Sequence, residues 1–460
     1  MSSVSASTSE RRIRPCAVAE LIRRENARFH EARPRSAALV RRARELMPSG
    51  VPMAWMRGLQ HHEPVFVESG CGATFTDVDG HRYVDFNQAD LSSTAGYATP
   101  GVVEAVSRQM RAGAQFLMPC EDAVAVAGDL ASRFALGHWQ FTLSASSAMT
   151  EALRLARLAT GRNGILMFDG SYHGHIDETL ADYSHDEPSV SSLGLPHDHG
   201  RHTTIVPYND LEAVRRELAG GTIAALVVEP ALTNVGLVLP REGFLENLRE
   251  LAEPHGTLLV ADETHTHMFA WGGLARHAKL NPHIVVIGKN FAAGVPIGAY
   301  GFEPHLAELM DRHLFDPVSD AGGLAVGGTL YGNALSFAAA RACLVHVMTR
   351  EAYEQTSELG GDLARGIQKI IDDANLGWKA QRLHNRAGWL YHREEPGSGA
   401  EAARLADIPL TDSRRIFMAN RGIWEATATA GPTVSFAMTR ADIDLYLDVA
   451  RLWIDTLLAD

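Results

Sequence analysis

The sequence predicts an α/β protein built around a mostly parallel sheet, and three observations carry that expectation. From about residue 100 to 330, short apolar runs alternate with longer helical patterns. Several of those runs, IVVI and TLLVA among them, are apolar throughout, as strands covered on both faces must be. The chain also has 460 residues, 46% of them hydrophobic, which is enough for a large core and more than one domain.

In chain order, MSSVSASTSERR is too polar to order, and two helix-like stretches follow at Ala17 to His30 and Ala37 to Leu46. Residues 1 to 50 hold eleven Arg and five acids. Targeting segments avoid acids, so this basic stretch is expected to be an arm folded against the body or a partner subunit. Residues 64 to 86 (PVFVES, ATFTDVDG, HRYVDF) read as a small antiparallel piece turning at Asp79-Gly80. The strands are expected at Trp139 to Leu143, Gly164 to Phe168, Thr203 to Val206, Ile223 to Val228, Thr257 to Ala261, Ile284 to Ile287 and Ile297 to Phe302. Helices such as Leu211 to Leu218 and Phe244 to Glu253 fall between them. Past residue 335 come a long helix, strand-like stretches at Trp389 to His392 and Thr433 to Met438, and a final helix from Arg440 to Leu458.

Composition narrows the function. A net charge of -13 argues against non-specific nucleic-acid binding, because no overall positive field would release phosphate counterions. No apolar run reaches the roughly 18 residues of a membrane span, and no signal peptide opens the chain. Cys16, Cys71, Cys120 and Cys343 are scattered without a CxxC pair, so a reducing cytoplasm is the simplest compartment.

Only four of the 42 basic residues are lysines: Lys279, Lys289, Lys369 and Lys379. Lys289 follows the run IVVI as Gly288-Lys289, at the carboxyl end of a strand, where open α/β sheets place ligands. An amine there can form a Schiff base, which Arg cannot; the plainer alternative is a surface lysine at a strand end. Asp262 and Glu263 come directly after TLLVA. A carboxylate buried there needs a cationic partner, and a protonated pyridine nitrogen would be one. Ser144, Ala145, Ser146 and Ser147 lie between a strand and a helix, where backbone N–H groups and hydroxyls suit a phosphate monoester. Serine also caps helices routinely.

Five motifs then occur in one order: GSYHGH at Gly170 to His175, Glu229-Pro230, Asp262-Glu263, Gly288-Lys289 and GTLYGN at Gly328 to Asn333. With them stand PSGV, DVDGHRYVDF, EPALTNVG and GKNFAAGVPIGAYGF. In this the chain resembles the class III pyridoxal-phosphate-dependent aminotransferases, most closely the branch containing glutamate-1-semialdehyde aminomutase, from about Leu46 to the C-terminus. The resemblance implies the aspartate aminotransferase-like fold (fold type I). A large α/β domain (96–334) would hold the cofactor, beside a smaller α+β domain (46–95 and 335–460) and the N-terminal arm (1–45).

The same resemblance implies roles. Lys289 would form the Schiff base and move the substrate proton, and Asp262 would hold the pyridine nitrogen. Tyr172 and Thr264 would flank the ring, while Ser144, Ala145 and Ser146 would cradle the phosphate of pyridoxal 5′-phosphate. Glu229 and Asn234 would lie near the phenolic oxygen and substrate. Thr329 would reach a phosphate of the neighbouring subunit, which implies a homodimer with shared active sites. Arg57 lies in the segment where the family often binds a substrate carboxylate.

The chain departs from the family at instructive places. SGTEA is replaced by Ser144-Ala145-Ser146-Ser147-Ala148, and DEVMTGFR by Asp262 to Phe269, which loses the arginine and gains His265 and His267. The aminomutase's glutamate before Ala-Gly is replaced by Thr429. In an extended His-Thr-His both imidazoles would face one way and could bind a metal, but no third ligand is indicated. Otherwise His265 is an added acid/base or substrate-binding group, or a structural histidine. The expected activity is transamination from a donor such as glutamate to a keto acceptor. The alternatives are an aminomutase or racemase, transamination coupled to dehydration that gives an aromatic amine with help from His265, and a non-catalytic member of the family.

Overall fold

The computed structural model describes residues 10–58, 62–184, 187–189, 194–314, 322–425 and 431–459. Seven strands form the main sheet: β1 (His138–Thr142), β2 (Gly164–Phe168), β3 (Thr203–Val206), β4 (Ile223–Val228), β5 (Leu258–Asp262), β6 (Ile284–Ile287) and β7 (Gly298–Phe302). Their spatial order is β1-β7-β6-β5-β4-β2-β3. The run from β6 to β3 is parallel, and β7 is antiparallel to both of its neighbours.

The continuous apolar runs have a direct physical outcome. Side chains alternate across a strand, so each run feeds two cores at once. Ile165, Val227, Val260 and Val286 pack on one face against Met149, Leu153 and Leu155 of the helix Ala145–Thr160. Leu166, Val228, Leu259 and Val285 pack on the other face against Phe244, Leu248 and Phe337. Removing one such side chain, as in Phe168→Ala, is expected to cost about 3–5 kcal/mol of stability. Strand parity also sets the site: Asp262 stands two residues after Val260, so it emerges on the face that carries the helix Ala145–Thr160.

The second sheet joins both chain ends. Val67–Cys71, Thr74–Asp77 and Arg82–Asp85 are antiparallel, and Ile423–Trp424 adds to the third strand in parallel. Its tight turn is held by Asp77, whose Oδ1 accepts from the backbone N–H groups of Asp79 (3.0 Å) and His81 (2.8 Å) around Gly80 at φ 89°. The long helix Arg350–Asp373 presents Leu363, Ile367, Ile370 and Ile371 at helical spacing to Trp453, Ile454 and Leu457 of the final helix Arg440–Ala459. A hairpin, Lys379–Leu383 and Arg386–Leu390, lies beside them.

The arm folds onto this body. Its helices, Pro15–Glu31 and Pro34–Arg44, place Val18 and Leu21 in the same core, and Glu25 accepts from Asn420 and Arg421. Two expectations need correction. Of the polar dozen, residues 10–12 are ordered: Arg11 N–H donates to the Asn375 carbonyl at 2.9 Å, and Glu10 pairs with Arg393. Thr433 to Met438 is not a strand, because Thr433 and Val434 donate to two different partners, the carbonyls of Phe86 and Asn385, and only one bridge forms. Thr429 lies outside the described residues. Among those described, no helix is long and apolar enough to cross a membrane.

Candidate active site

Parallel strands bring five chemistry-bearing segments to one edge of the sheet. Ser144 follows β1, Tyr172 and His173 follow β2, Glu229 follows β4, Asp262 ends β5 and Lys289 follows β6.

Ser144 caps the helix Ala145–Thr160 through a bond from Ser147 N–H to its Oγ (3.2 Å). Backbone passes very close to this helix start. A Cβ on Gly288 would lie 2.8 Å from the Ala145 Cβ, and one on Gly174 would lie 2.6 Å from the Ser146 Oγ. His175 N–H also donates to that Oγ at 2.9 Å. The helix start thus offers backbone N–H groups and small hydroxyls inside a shell that only glycine permits, a cradle suited to a phosphate.

Asp262 is buried, and its Oδ2 bonds His173 Nδ1 at 2.9 Å while its Oδ1 accepts from Thr264 N–H at 3.1 Å. Burial alone would raise this carboxyl. The His173 hydrogen bond and charge, with Thr264, instead hold it below its ordinary value. An ionised carboxylate buried at a strand end is what a protonated pyridine nitrogen requires. Thr264 is half-buried and Tyr172 is 48% exposed, its N–H donating to Glu229 Oε1 at 2.7 Å. The adjacent Glu263 is wholly buried, accepts from Thr266 Oγ1 and from the backbone of Leu274 and Ala275, and so anchors the following turn.

Lys289 Nζ donates to Asp90 Oδ2 at 2.6 Å and to the Asp90 carbonyl at 2.9 Å. Asp90 belongs to an unusual turn: Gln88, Ala89, Asp90 and Leu91 all have φ between 49° and 65°. Left-handed backbone costs about 1–2 kcal/mol per non-glycine residue, so this turn must be held from outside. Asp85 does so, accepting from the N–H groups of Asn87 (2.9 Å) and Gln88 (2.8 Å), while the Gln88 amide donates to the Thr433 carbonyl. Burial opposes ionisation of Asp90, but the charge and hydrogen bond of Lys289, with the Arg386 charge, hold its carboxyl below the ordinary value.

His265 meets the same group. Its Nδ1 bonds Thr233 Oγ1 at 2.6 Å, and that hydroxyl also donates to Glu229 Oε2 at 3.3 Å. Burial, reinforced by Lys289, pushes the imidazole down to about 3, so the ring is neutral. Burial also pushes the Glu229 carboxyl up to about 7, with the Asp262 charge adding to the rise. Arg386 is wholly buried. Its Nη2 donates to the Thr233 carbonyl at 2.9 Å, and its Nε has no hydrogen-bond partner among the described residues.

The expected extended His-Thr-His is corrected: Thr266–Met268 is a 3-10 turn. His265 turns to Thr233, whereas His267 Nε2 bonds the Gly288 carbonyl at 3.0 Å and its own carbonyl accepts from Tyr353 Oη, which makes it a brace behind Lys289. Asn234 follows Thr233, half-buried. Thr329 is exposed and stands apart, its carbonyl accepting from Gln115 Nε2 at 2.6 Å. Arg57 is likewise not brought to Lys289. It lines a cavity of about 230 Å³ with Phe29, His30 and Arg33, and donates to the His62 carbonyl. Asp90, Thr233 and Arg386 were missed by sequence reasoning, and none sits at the end of an apolar run where such groups advertise themselves.

The class-III aminotransferase description matches residues 57–377. The chain belongs to the class-III aminotransferases. A glutamate-1-semialdehyde 2,1-aminomutase from Nitratidesulfovibrio vulgaris is 34% identical over 427 residues, covering 91% of this chain and 98% of that one. A glutamate-1-semialdehyde aminomutase of Pseudomonas aeruginosa PAO1, solved with PMP as a lysine-to-alanine variant, superimposes with a TM-score of 0.92 at 34% identity over 97% of this chain and 99% of that one. A β-phenylalanine aminotransferase of Variovorax paradoxus does so with a TM-score of 0.86 at 26% identity, covering 96% and 98%. The fold is therefore that of the fold type I enzymes, and the family's cofactor is pyridoxal phosphate. The ionised Asp262, the glycine-bounded helix start and the lysine between them fit that group.

Proposed function

We propose that this chain is an enzyme that moves amino groups, with pyridoxal 5′-phosphate held on Lys289. One observation carries the reading: an ionised, buried carboxylate (Asp262) and Lys289 emerge from the carboxyl ends of neighbouring parallel strands beside a helix start built for phosphate. When bound, the cofactor supplies an electron sink for the pair left behind when a proton leaves the substrate carbon. The chain's residues do the rest. Lys289 holds the aldehyde and carries the proton, and Asp262 keeps the ring nitrogen protonated. Tyr172 and Thr264 confine the ring faces, Ser144, Ala145 and Ser146 take the phosphate, and Glu229 and Asn234 border the phenolic oxygen and substrate.

Transamination from an amino donor such as glutamate to a keto acceptor is the first reading, because the added His265 and the lost family arginine weaken the aminomutase reading. The relatives' names favour the other reading, an intramolecular amino shift by an isomerase. Exposed Thr329 supports a homodimer in which it completes the partner's phosphate site, with Met110, Phe116, Leu117 and Met118 exposed on the chain that leads to its Gln115 neighbour. The test is to mix purified holoenzyme with single amines. Conversion of the visible aldehyde band to the near-ultraviolet amine band by glutamate alone, reversed by a keto acid, supports transamination. Isomerisation of glutamate-1-semialdehyde with no second substrate supports the amino shift, and inertness in both assays sinks the proposal.

A further inference from the structure

Glu229, Thr233 and His265 come from two separate segments, after β4 and after β5, yet form a continuous chain of bonds ending beside Lys289. Thr233 Oγ1 lies 3.3 Å from Glu229 Oε2 and 2.6 Å from His265 Nδ1. All three residues are buried, His265 with 8% exposure. Its Nε2 makes no hydrogen bond among the described residues. A hydroxyl donates one proton and accepts others, so the two bonds of Thr233 are linked in direction. When Glu229 is ionised, Thr233 donates to it and must accept from His265 Nδ1–H, which leaves Nε2 as an acceptor. When Glu229 is protonated it donates to Thr233, Thr233 donates to Nδ1, and Nε2 carries the proton.

We infer that Glu229, Thr233 and His265 form a proton relay that lets His265 Nε2 act by turns as base and acid toward a substrate oxygen while the ring stays neutral. The inference rests on the proposed function and adds the route by which an acceptor bearing a carbonyl or hydroxyl gains or loses a proton. The transfer balances. Glu229 gives its proton to the Thr233 oxygen, Thr233 gives its own to Nδ1, and Nε2 gives its proton to the substrate oxygen, so that one proton moves from Glu229 to substrate. The reverse passage returns it.

The surroundings suit this. A ring pushed down to about 3 cannot store a proton, whereas a carboxyl near 7 can. Besides Thr233 and the Tyr172 N–H, Glu229 is faced by His173, Asp262, Arg386 and Tyr208. His265 is faced by Lys289, Asp90, Arg386 and Asp262. Asp90 and Asp262 are held below their ordinary values and stay ionised through neutral pH. His173 bonds Asp262 rather than Thr233, so it stands outside this chain of bonds.

The test is imidazole ¹⁵N NMR of the holoenzyme from pH 5.5 to 8.5, with His265 assigned by its loss in His265→Gln. Expected is a neutral ring that changes from the Nε2–H to the Nδ1–H tautomer as pH rises, with a midpoint of about 7. Thr233→Val should freeze one tautomer and slow the acceptor half-reaction at least tenfold, while Thr233→Ser restores both. Glu229→Gln should abolish the switch without cutting the chain of bonds, which keeps the test open if the valine variant does not fold. A single tautomer throughout in the wild type, a ring that titrates to the cation, or a switch that survives Thr233→Val overturns the relay. Failure of every amine to convert the wild-type cofactor overturns the proposed function instead, since the tautomer is read without turnover.

Discussion

The two ends of the site are built differently. The pole formed by Asp262, Ser144 to Ser146 and Lys289 stands on strand ends and a helix start, where the sheet fixes each backbone and the central strands are packed on both faces. The pole formed by Asp90, Thr233, His265 and Arg386 is assembled from a left-handed turn, two loops and the edge of a hairpin, and is held by buried charges and linked hydrogen bonds. The first would be, under the proposed function, a rigid mount for the family's cofactor. The second holds His265, and under the proposed function it is where the choice of substrate would be expressed.

Substitutions can break or sharpen that division. Lys289→Ala should have the largest effect, abolishing both half-reactions while leaving the protein folded, since the ammonium contributes little apolar packing; stopped-flow absorbance with donor and acceptor checks it. Asp262→Ala should follow, slowing both halves by about 10²- to 10³-fold, or about 3–4 kcal/mol of barrier, as expected for loss of one preorganised charge. His265→Ala should divide the poles: the donor half stays within about tenfold while the acceptor half falls by more than about a hundredfold. Equal loss in both halves would return His265 to the cofactor mount. The smallest effect belongs to Thr329. A mixed dimer of Lys289→Ala and Thr329→Ala subunits gathers both lesions in one site and should recover about half of the wild-type activity. Recovery no better than either parent would mean that each site is complete in one chain.

The same division governs what could be read from the sequence. All seven strands of the main sheet were legible, most of them as short apolar runs such as IVVI, which suit a strand covered on both sides. Asp262 and Lys289 were legible with them, as polar residues ending such runs. Asp90 was not. It lies 199 residues from Lys289, and a left-handed turn without a single glycine has no local signature. Thr233 and Arg386 gain their meaning only where the loop after β4 meets the hairpin, a contact that no periodicity encodes. The strand expected at Thr433 to Met438 failed for a related reason, since its backbone groups are spent on two partners and leave no ladder.

The central claim, that Lys289 carries the cofactor, is tested most directly by borohydride reduction of the holoenzyme followed by peptide mass mapping. The account predicts one pyridoxyl group per chain, on Lys289, and none after reduction of Lys289→Ala. A label on Lys279, Lys369 or Lys379 would contradict it.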